Sequence, residues 1–174
     1  MHLKIKKTIK KYIITLSIGI FVALFLKLFC LDFLTISGTS MAPTLKENQT
    51  IVINKLAYGL NKPFSSEFLI QWASPKKDDV IIFLHDNKIV VKRAVLLQNE
   101  YLEILYNEQY NYYYIQVGQR KIKINGEQKK NLEKCSTVPK GYVFAVGDND
   151  VLSIDSRDYG FVSVKNITGR VIGK

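Results

Sequence analysis

The hydrophobic pattern of the chain changes once, near residue 31. Residues 12–29 are almost continuously apolar and are interrupted only by Thr15, Ser17, Gly19 and Lys27. A run of this length is close to the roughly 20 residues that a helix needs to cross a bilayer. Beyond it, short runs rich in Ile, Val, Tyr and Phe alternate with turn residues, a pattern typical of β-strands. We therefore predict a membrane helix over 12–31, followed by a mostly β domain over 32–174.

Eight segments of this domain have the composition and the flanking turns of strands. Hairpin turns are predicted at Asp86-Asn87 and Asn125-Gly126, and the only helical candidate after residue 34 spans 66–73. The region 101–140, which begins with a tyrosine-rich stretch, is a candidate small subdomain. The predicted strands are 50–55, 79–84, 88–97, 101–106, 112–117, 121–124, 142–146 and 161–164.

Charge is concentrated at the N-terminus. The chain of 174 residues carries a net charge of +10, and six lysines before Asp32 supply most of it, which leaves +4 on the rest. No basic patch interleaved with aromatic residues stands out, so nucleic acid is not predicted as a partner. The basic segment 1–11 should stay in the cytoplasm by the positive-inside tendency. We predict a single-pass protein of the cytoplasmic membrane, with its domain on the outer side and the lipid bilayer as a partner.

A cleaved secretory signal is the competing interpretation of residues 1–31, because a basic start and an apolar core also describe a leader peptide. The apolar run is long for a leader, and no clear small-x-small cleavage site follows it. We therefore favour a retained anchor.

Cysteine and histidine are too few to suggest metal or disulfide chemistry. Cys30 lies at the end of the apolar run and Cys135 deep in the domain, so we predict free thiols. His2 and His85 are the only histidines. We predict no metal site and no cofactor.

Ser40 and Lys92 are the candidate catalytic pair. Ser40 lies about ten residues beyond the predicted anchor, and a serine hydroxyl needs a base to attack a carbonyl at neutral pH. Lys92 and Arg93 lie on opposite faces of a strand-like run, and both faces are otherwise apolar. Arginine stays protonated in proteins, whereas a lysine buried among aliphatic side chains has a lowered pKa. Lys92 is therefore the candidate base.

Five segments in order resemble the conserved boxes of bacterial type I signal peptidases, over almost the whole chain. The resemblance implies an antiparallel β peptidase domain on one N-terminal transmembrane helix. The segments are SMAPTL at 40–45, KLAYG at 55–59, DVIIF at 79–83, KRAV at 92–95, and GDN at 147–149 with SIDSR at 153–157.

The resemblance also implies roles for individual residues. Ser40 would be the nucleophile, with its backbone N–H and Gly38 at the oxyanion hole, and Lys92 the general base. Supporting roles would fall to Ser153, which would orient the lysine amine, to the ion pair of Asp155 with Arg157, and to Asp148 and Arg93.

The implied reaction is removal of signal peptides from translocated preproteins through an acyl-enzyme on Ser40. Substrates would bind extended along a strand edge, with small residues at the first and third positions before the cut. The secretion translocon is a further candidate partner. The residues implied to line the substrate pockets are Leu34, Ile36, Leu45, Ile82 and Val91.

Three departures from the family pattern affect expected turn geometry. Asp78 stands where glycine is usual, and Asp150 stands where arginine is common after Gly-Asp-Asn. The segment Gln98-Asn99-Glu100 stands where Pro-Gly-Asp is common.

Three alternative functions share part of this pattern. Self-cleaving repressors use the same Ser and Lys logic but need a DNA-binding segment, which we do not find in the sequence. A specialised processing peptidase of a conjugation or pilus system stays open. A non-enzymatic, membrane-anchored binding module predicts loss of Ser40 or Lys92, and both are present.

Overall fold

The structure, a computed structural model, describes residues 2–62 and 67–173. Its first element is helix α1, His2–Phe25, which continues through a π-helical turn at Leu26–Cys30. Within it, Thr8–Cys30 has a mean hydropathy of 2.5 and is not buried against the rest of the chain. The helix is long and apolar enough to cross a membrane, as predicted. A leader peptide shares these properties, so retention of the segment stays a prediction.

The described residues contain twelve strands and two further α-helices. The helices are α2, Gly126–Leu132, and α3, Ser156–Tyr159, and a 3-10 turn spans Val164–Asn166. The strands are β1 Leu31–Thr35, β2 Thr50–Asn54, β3 Gly59–Asn61, β4 Phe68–Gln71, β5 Val80–His85, β6 Lys88–Leu96, β7 Ile104–Asn107, β8 Tyr112–Val117, β9 Arg120–Ile124, β10 Tyr142–Val146, β11 Val162–Ser163 and β12 Ile167–Val171.

Seven strands form one antiparallel sheet in the order β1-β2-β12-β5-β6-β10-β11. The central hairpin of β5 and β6 turns at Asp86 and Asn87, whose φ angles of 47° and 59° suit the predicted two-residue turn. β6 pairs with β5 from Lys88 to Arg93, whereas β10 pairs with β6 only between Arg93 and Leu96. Among the described strands, none covers the other side of β6 before Lys92.

A second sheet of three strands, β7-β8-β9, packs against this main sheet. Ile115 and Ile122 of the small sheet and Leu96 and Phe144 of the main sheet belong to one buried cluster. The 101–140 region therefore shares a core with the rest of the domain. β3 and β4 form a separate pair.

Most of the predicted strands are confirmed within a few residues. The predicted 101–106 strand begins later, at Ile104. Of the predicted 161–164 strand, only Val162 and Ser163 form a paired strand. Four strands were missed: β1, β3, β4 and β12. Short length explains β3, and β1 continues the apolar run of the helix, so its sequence resembles the end of the anchor.

Two local predictions are wrong. Asn125-Gly126 is not a hairpin turn, because the Asn125 side chain accepts a hydrogen bond from the Gln128 N–H and the Gln128 side chain accepts one from the Asn125 N–H. This reciprocal capping box starts α2 instead. The candidate helix at 66–73 begins at Ser66, outside the described residues, and its described part forms β4, paired with β3.

Candidate active site

Ser40 lies in the turn that follows β1. Gly38 precedes it with a φ of 89°, which a residue with a side chain rarely adopts. The turn is closed by hydrogen bonds from the Ala42 N–H to the Thr39 carbonyl and from the Leu45 N–H to the Met41 carbonyl. Met41 and Leu45 are buried in the core, so apolar packing on the C-terminal side anchors the serine.

Lys92 lies in the middle of β6, opposite Ile81 of β5. Its side chain is buried, with 4% of the residue exposed. The Nζ atom of Lys92 lies 2.8 Å from the Oγ atom of Ser40. The expected proximity of amine and hydroxyl is therefore confirmed, while their catalytic roles stay predictions.

Burial lowers the pKa of the Lys92 amine below its ordinary value of 10.5. Arg157 acts in the same direction, whereas the carboxylates of Asp155, Asp148 and Asp158 oppose it. Among the described residues, no carboxylate forms an ion pair with Lys92. The nearest polar partner is a neutral hydroxyl, so the site favours the uncharged amine.

Asp155 and Arg157 form a buried ion pair beside the lysine, with side-chain exposures of 0% and 3%. The Arg157 Nη2 atom lies 2.8 Å from Asp155 Oδ2, and its Nε atom lies 2.9 Å from Oδ1. Burial acts to raise the pKa of the Asp155 carboxyl, but the hydrogen bonds from Arg157 and Ser153 hold it below its ordinary range. Further bonds run from Arg157 to the carbonyls of Lys123, Asp150 and Ser153.

Ser153 is linked to this ion pair. Its hydroxyl donates to Asp155 Oδ2 at 2.6 Å, and the Gly147 N–H donates to the same oxygen at 2.9 Å. The hydrogen bond of the Ser153 hydroxyl thus goes to Asp155, not to Lys92. Orientation of the lysine amine by Ser153 stays a prediction.

A second ion pair joins Arg93 to Asp148. The Arg93 Nε and Nη2 atoms lie 2.8 and 2.7 Å from the two carboxylate oxygens, a bidentate geometry. Burial acts to raise the pKa of Asp148, and hydrogen bonds from Arg93 and Thr44 lower it below its ordinary value. Both candidate supporting pairs therefore keep their carboxylates ionised.

All five implied pocket residues belong to one apolar cluster below the Ser40 turn. Ile36, Leu45 and Ile82 are buried in it, whereas Leu34 and Val91 are only partly buried. Leu34 and Ile82 also line a cleft of about 880 Å³ between the end of the N-terminal helix and the β5–β6 hairpin. Leu34 and Val91 are thus the accessible members, and Leu45, with no exposed surface, can only support the pocket from below.

The departures from the family pattern are accommodated in turns. Asp78 and Asn99 adopt left-handed conformations with φ of 68° and 66°, and the Asp78 carbonyl accepts a hydrogen bond from Arg93. Gln98 accepts one from the Gly141 N–H, and Glu100 accepts one from the Leu97 N–H.

Three contacts of the site were not predicted. The Asn149 N–H donates to the Ser40 carbonyl at 3.0 Å. Gly147 packs so closely on Ser40 that a Cβ atom there would lie 2.5 Å from the same carbonyl oxygen. Arg120 contacts the 147–150 turn from β9. Gly147 and Asn149 fall within a recognised box, but nothing near Arg120 in the sequence distinguishes it from its basic neighbours.

No cluster of three or more His, Cys, Asp or Glu side chains suited to a metal ion is found in residues 2–62 and 67–173. Cys30 and Cys135 are free thiols, as predicted. Around Ser40 the structure brings together its hydroxyl, the Lys92 amine and two hydrogen-bonded ion pairs.

The sequence of the chain matches one family of known proteins. A sequence profile of the family described as "Signal peptidase, peptidase S26" matches residues 9–173. Signal peptidase I of Bacillus caldolyticus is 28% identical over 152 residues, which cover 84% of this chain and 80% of that protein. Signal peptidase IB of Staphylococcus aureus strain COL is 27% identical over 172 residues, which cover 95% and 88%. A crystal structure of a signal peptidase I from Enterococcus faecalis V583 is 24% identical and covers 55% of this chain and 95% of that chain, with a TM-score of 0.37.

Proposed function

The chain belongs to the signal peptidase family, peptidase S26, and is a serine endopeptidase; on this premise we propose that it removes signal peptides from translocated preproteins with Ser40 as nucleophile and Lys92 as general base. The observation that carries the proposal is the 2.8 Å separation of Lys92 Nζ and Ser40 Oγ. The lowered pKa of the buried lysine supports it, because only a neutral amine can accept a proton.

In the proposed reaction, the neutral Lys92 amine accepts the proton of the Ser40 hydroxyl as Oγ attacks the scissile carbonyl. The resulting ammonium donates a proton to the leaving amine, and an acyl-enzyme remains on Ser40. Lys92 then takes a proton from a water molecule as that water attacks the ester, and it returns the proton to the departing Oγ, which releases the carboxyl product and restores Ser40 and the neutral amine. The Ser40 N–H, next to Gly38, would stabilise the oxyanion.

The substrate would bind in extended form along β6, on the side that no described strand covers before Lys92. Main-chain hydrogen bonds to this edge would align the scissile bond with Ser40. The accessible Leu34 and Val91 would form shallow pockets that accept small residues at the first and third positions before the cut. Ile36, Leu45 and Ile82 would support these pockets from the core.

The helix α1 would anchor the enzyme in the cytoplasmic membrane, with the N-terminal lysines inside and the domain outside. This orientation would place the site close to the outer face of the cytoplasmic membrane. Preproteins would leave the secretion translocon there with their signal peptides still in the bilayer.

The test is mass spectrometry of a reporter preprotein incubated with the detergent-solubilised chain. Ser40→Ala and Lys92→Ala should each abolish cleavage and leave the circular dichroism spectrum unchanged. Lys88→Ala, an exposed lysine on the same strand, is the matched control and should cleave normally. Normal processing by either dyad variant would refute the proposal. Cleavage of one pilin-like substrate but of no general preprotein would favour the specialised conjugation or pilus peptidase.

A further inference from the structure

Arg120 joins the small sheet to the turn beside the nucleophile. It is the first residue of β9, and its side chain is 31% exposed. Its Nη2 atom donates to the Gly147 carbonyl at 3.1 Å and to Asp150 Oδ1 at 3.0 Å. Its Nη1 atom lies 3.6 Å from Asp148 Oδ1. One guanidinium from a neighbouring sheet therefore contacts three of the four residues 147–150.

The 147–150 turn also holds the backbone of Ser40. The Asn149 N–H donates to the Ser40 carbonyl at 3.0 Å, and the Asn149 side chain donates to the Thr39 carbonyl at 3.3 Å. Gly147 has no room for a Cβ atom against the Ser40 carbonyl. A displacement of the turn would therefore move the peptide group that carries the nucleophile.

The other two arginines near the turn hold different groups. Arg93 binds the Asp148 carboxylate from β6, and Arg157 donates to the Asp150 backbone carbonyl. The Gly147 carbonyl and the Asp150 carboxylate are bound by Arg120. Arg93 and Arg157 do not share these two hydrogen-bond partners, and Arg120 meets the Arg93–Asp148 pair only through its 3.6 Å contact with Asp148 Oδ1.

We propose that Arg120 is a positioning residue for the peptidase reaction, which fixes the 147–150 turn and, through Asn149, the distance between Ser40 and Lys92. This inference rests on the proposed function for its kinetic consequences only. Because Arg120 is partly exposed, its hydrogen bonds contribute little to global stability. Small shifts of a nucleophile, in contrast, lower reaction rates strongly.

Loss of Arg120 should lower kcat by between about tenfold and a hundredfold. KM should change by less than about twofold, because the pocket residues Leu34 and Val91 lie in an apolar cluster that contains no residue of the turn. A substitution that weakens only transition-state interactions lowers kcat and leaves substrate binding intact. The kinetic effect should thus separate from any change in substrate affinity.

The experiment compares Arg120→Gln, Arg120→Lys and Lys121→Ala in the full chain in detergent micelles. Lys121 is the adjacent, exposed residue of β9, and its side chain lies over the Tyr114 ring, so its loss removes one positive charge without touching the turn. The substrate is a synthetic peptide with alanine at the first and third positions before the cut. Arg120→Lys should recover part of the lost kcat, since one ammonium can bind only some of the acceptors.

A second measurement does not depend on activity. Amide hydrogen exchange of the segment 147–152 reports the Asn149 N–H bond to Ser40. Exchange there should accelerate at least about tenfold in Arg120→Gln and stay unchanged in Lys121→Ala. Asp150→Ala removes one of the three Arg120 contacts and should give a smaller acceleration in the same direction, and the double variant should be little worse than Arg120→Gln alone.

The outcomes separate this inference from the proposed function. A wild-type chain that fails to cleave any preprotein contradicts the proposed function, and the exchange data then still test the role of Arg120. Unchanged exchange and unchanged kcat in Arg120→Gln overturn the inference even if the enzyme is active. Should Arg120→Gln fail to fold, Arg120→Lys and Asp150→Ala provide the same two measurements.

Discussion

Two basic side chains are buried within the same site, and their hydrogen-bond partners differ. Lys92 and Arg157 are 4% and 2% exposed. Arg157 is surrounded by acceptors, namely the Asp155 carboxylate and three backbone carbonyls. Lys92 lies opposite Ile81 in the sheet, and its amine has the Ser40 hydroxyl as hydrogen-bond partner.

The difference indicates that hydrogen-bond partners and neighbouring charges, and not burial alone, set the direction of each pKa shift. Although burial disfavours the charged form of Arg157, its hydrogen bonds and the charge of Asp155 raise its pKa further above the ordinary value. The same burial lowers the pKa of Lys92, because nothing comparable compensates for the lost hydration. The surroundings of Arg157 favour its charged form, and those of Lys92 favour its neutral form.

Exchanging the cation at position 92 should break this contrast most severely. Lys92→Arg keeps a long basic side chain but cannot supply a neutral base, because arginine does not deprotonate in proteins. Cleavage should fall by at least about a thousandfold. The measurement is the initial rate of preprotein cleavage, with Lys88→Arg as the control on the same strand. Substantial activity of Lys92→Arg would show that a cation, not a base, is needed at this position.

Removal of the paired cation should affect stability instead. Arg157→Ala leaves the Asp155 carboxylate buried without its partner, which should lower the free energy of unfolding by about 3–5 kcal/mol. Arg170→Ala is the control, because Arg170 pairs with Asp79 while 41% of its side chain is exposed; its loss should cost less than about 1 kcal/mol. Denaturant unfolding in micelles measures both. Equal losses would mean that burial does not distinguish the two pairs.

The pH dependence of cleavage should sharpen the contrast. The rate should rise with pH along a limb whose midpoint lies below 10.5, the ordinary value for lysine. Below that midpoint the rate should fall about tenfold for each pH unit, as the neutral fraction of a single amine does. Cleavage is measured from pH 5 to 10, after subtraction of the Ser40→Ala background. A midpoint at or above pH 10.5 would contradict the lowered pKa of the buried Lys92 amine.

The smallest expected effect is a gain in stability when the unpaired cation is removed. At a pH below the lowered pKa, the folded protein carries a buried charge, so Lys92→Met should raise the free energy of unfolding by about 1 kcal/mol. As pH rises through the lowered pKa the native amine loses its charge, and the gain should shrink towards pH 10.5. Lys88→Met, at an exposed position, should show no such trend. A constant gain across pH would mean that packing alone causes it.

Hydropathy and turn chemistry predicted most of the fold. The helix α1 could be predicted because a bilayer imposes a minimum length on an apolar run. The β5–β6 hairpin could be predicted because Asp and Asn tolerate positive φ. The prediction failed at Asn125-Gly126, where Gln128 three residues later completes a capping box. It also failed for β4, whose pairing with β3 decides its conformation and involves residues about ten positions away.

The candidate site was predicted from chemistry and from ordered segments, so Ser40 and Lys92 could be named without coordinates. Arg120 could not, because one arginine in the basic strand Arg120–Ile124 has no local feature that marks it. Its partners lie some thirty residues further along the chain and reach it only through the packing of two sheets.

The sequence by itself determined a membrane-length helix, a β domain and the residue types for serine chemistry with a lysine base, because these depend on composition and on neighbours within a few residues. Only the tertiary structure decided that Lys92 is 4% exposed, that the Ser153 hydroxyl donates to Asp155 and not to Lys92, and that Arg120 reaches the 147–150 turn. The dielectric environment of a side chain is the sum of contacts from segments distant in the chain. Ser40 and Lys92 are separated by 52 residues and meet at 2.8 Å only because the fold brings the turn after β1 next to β6.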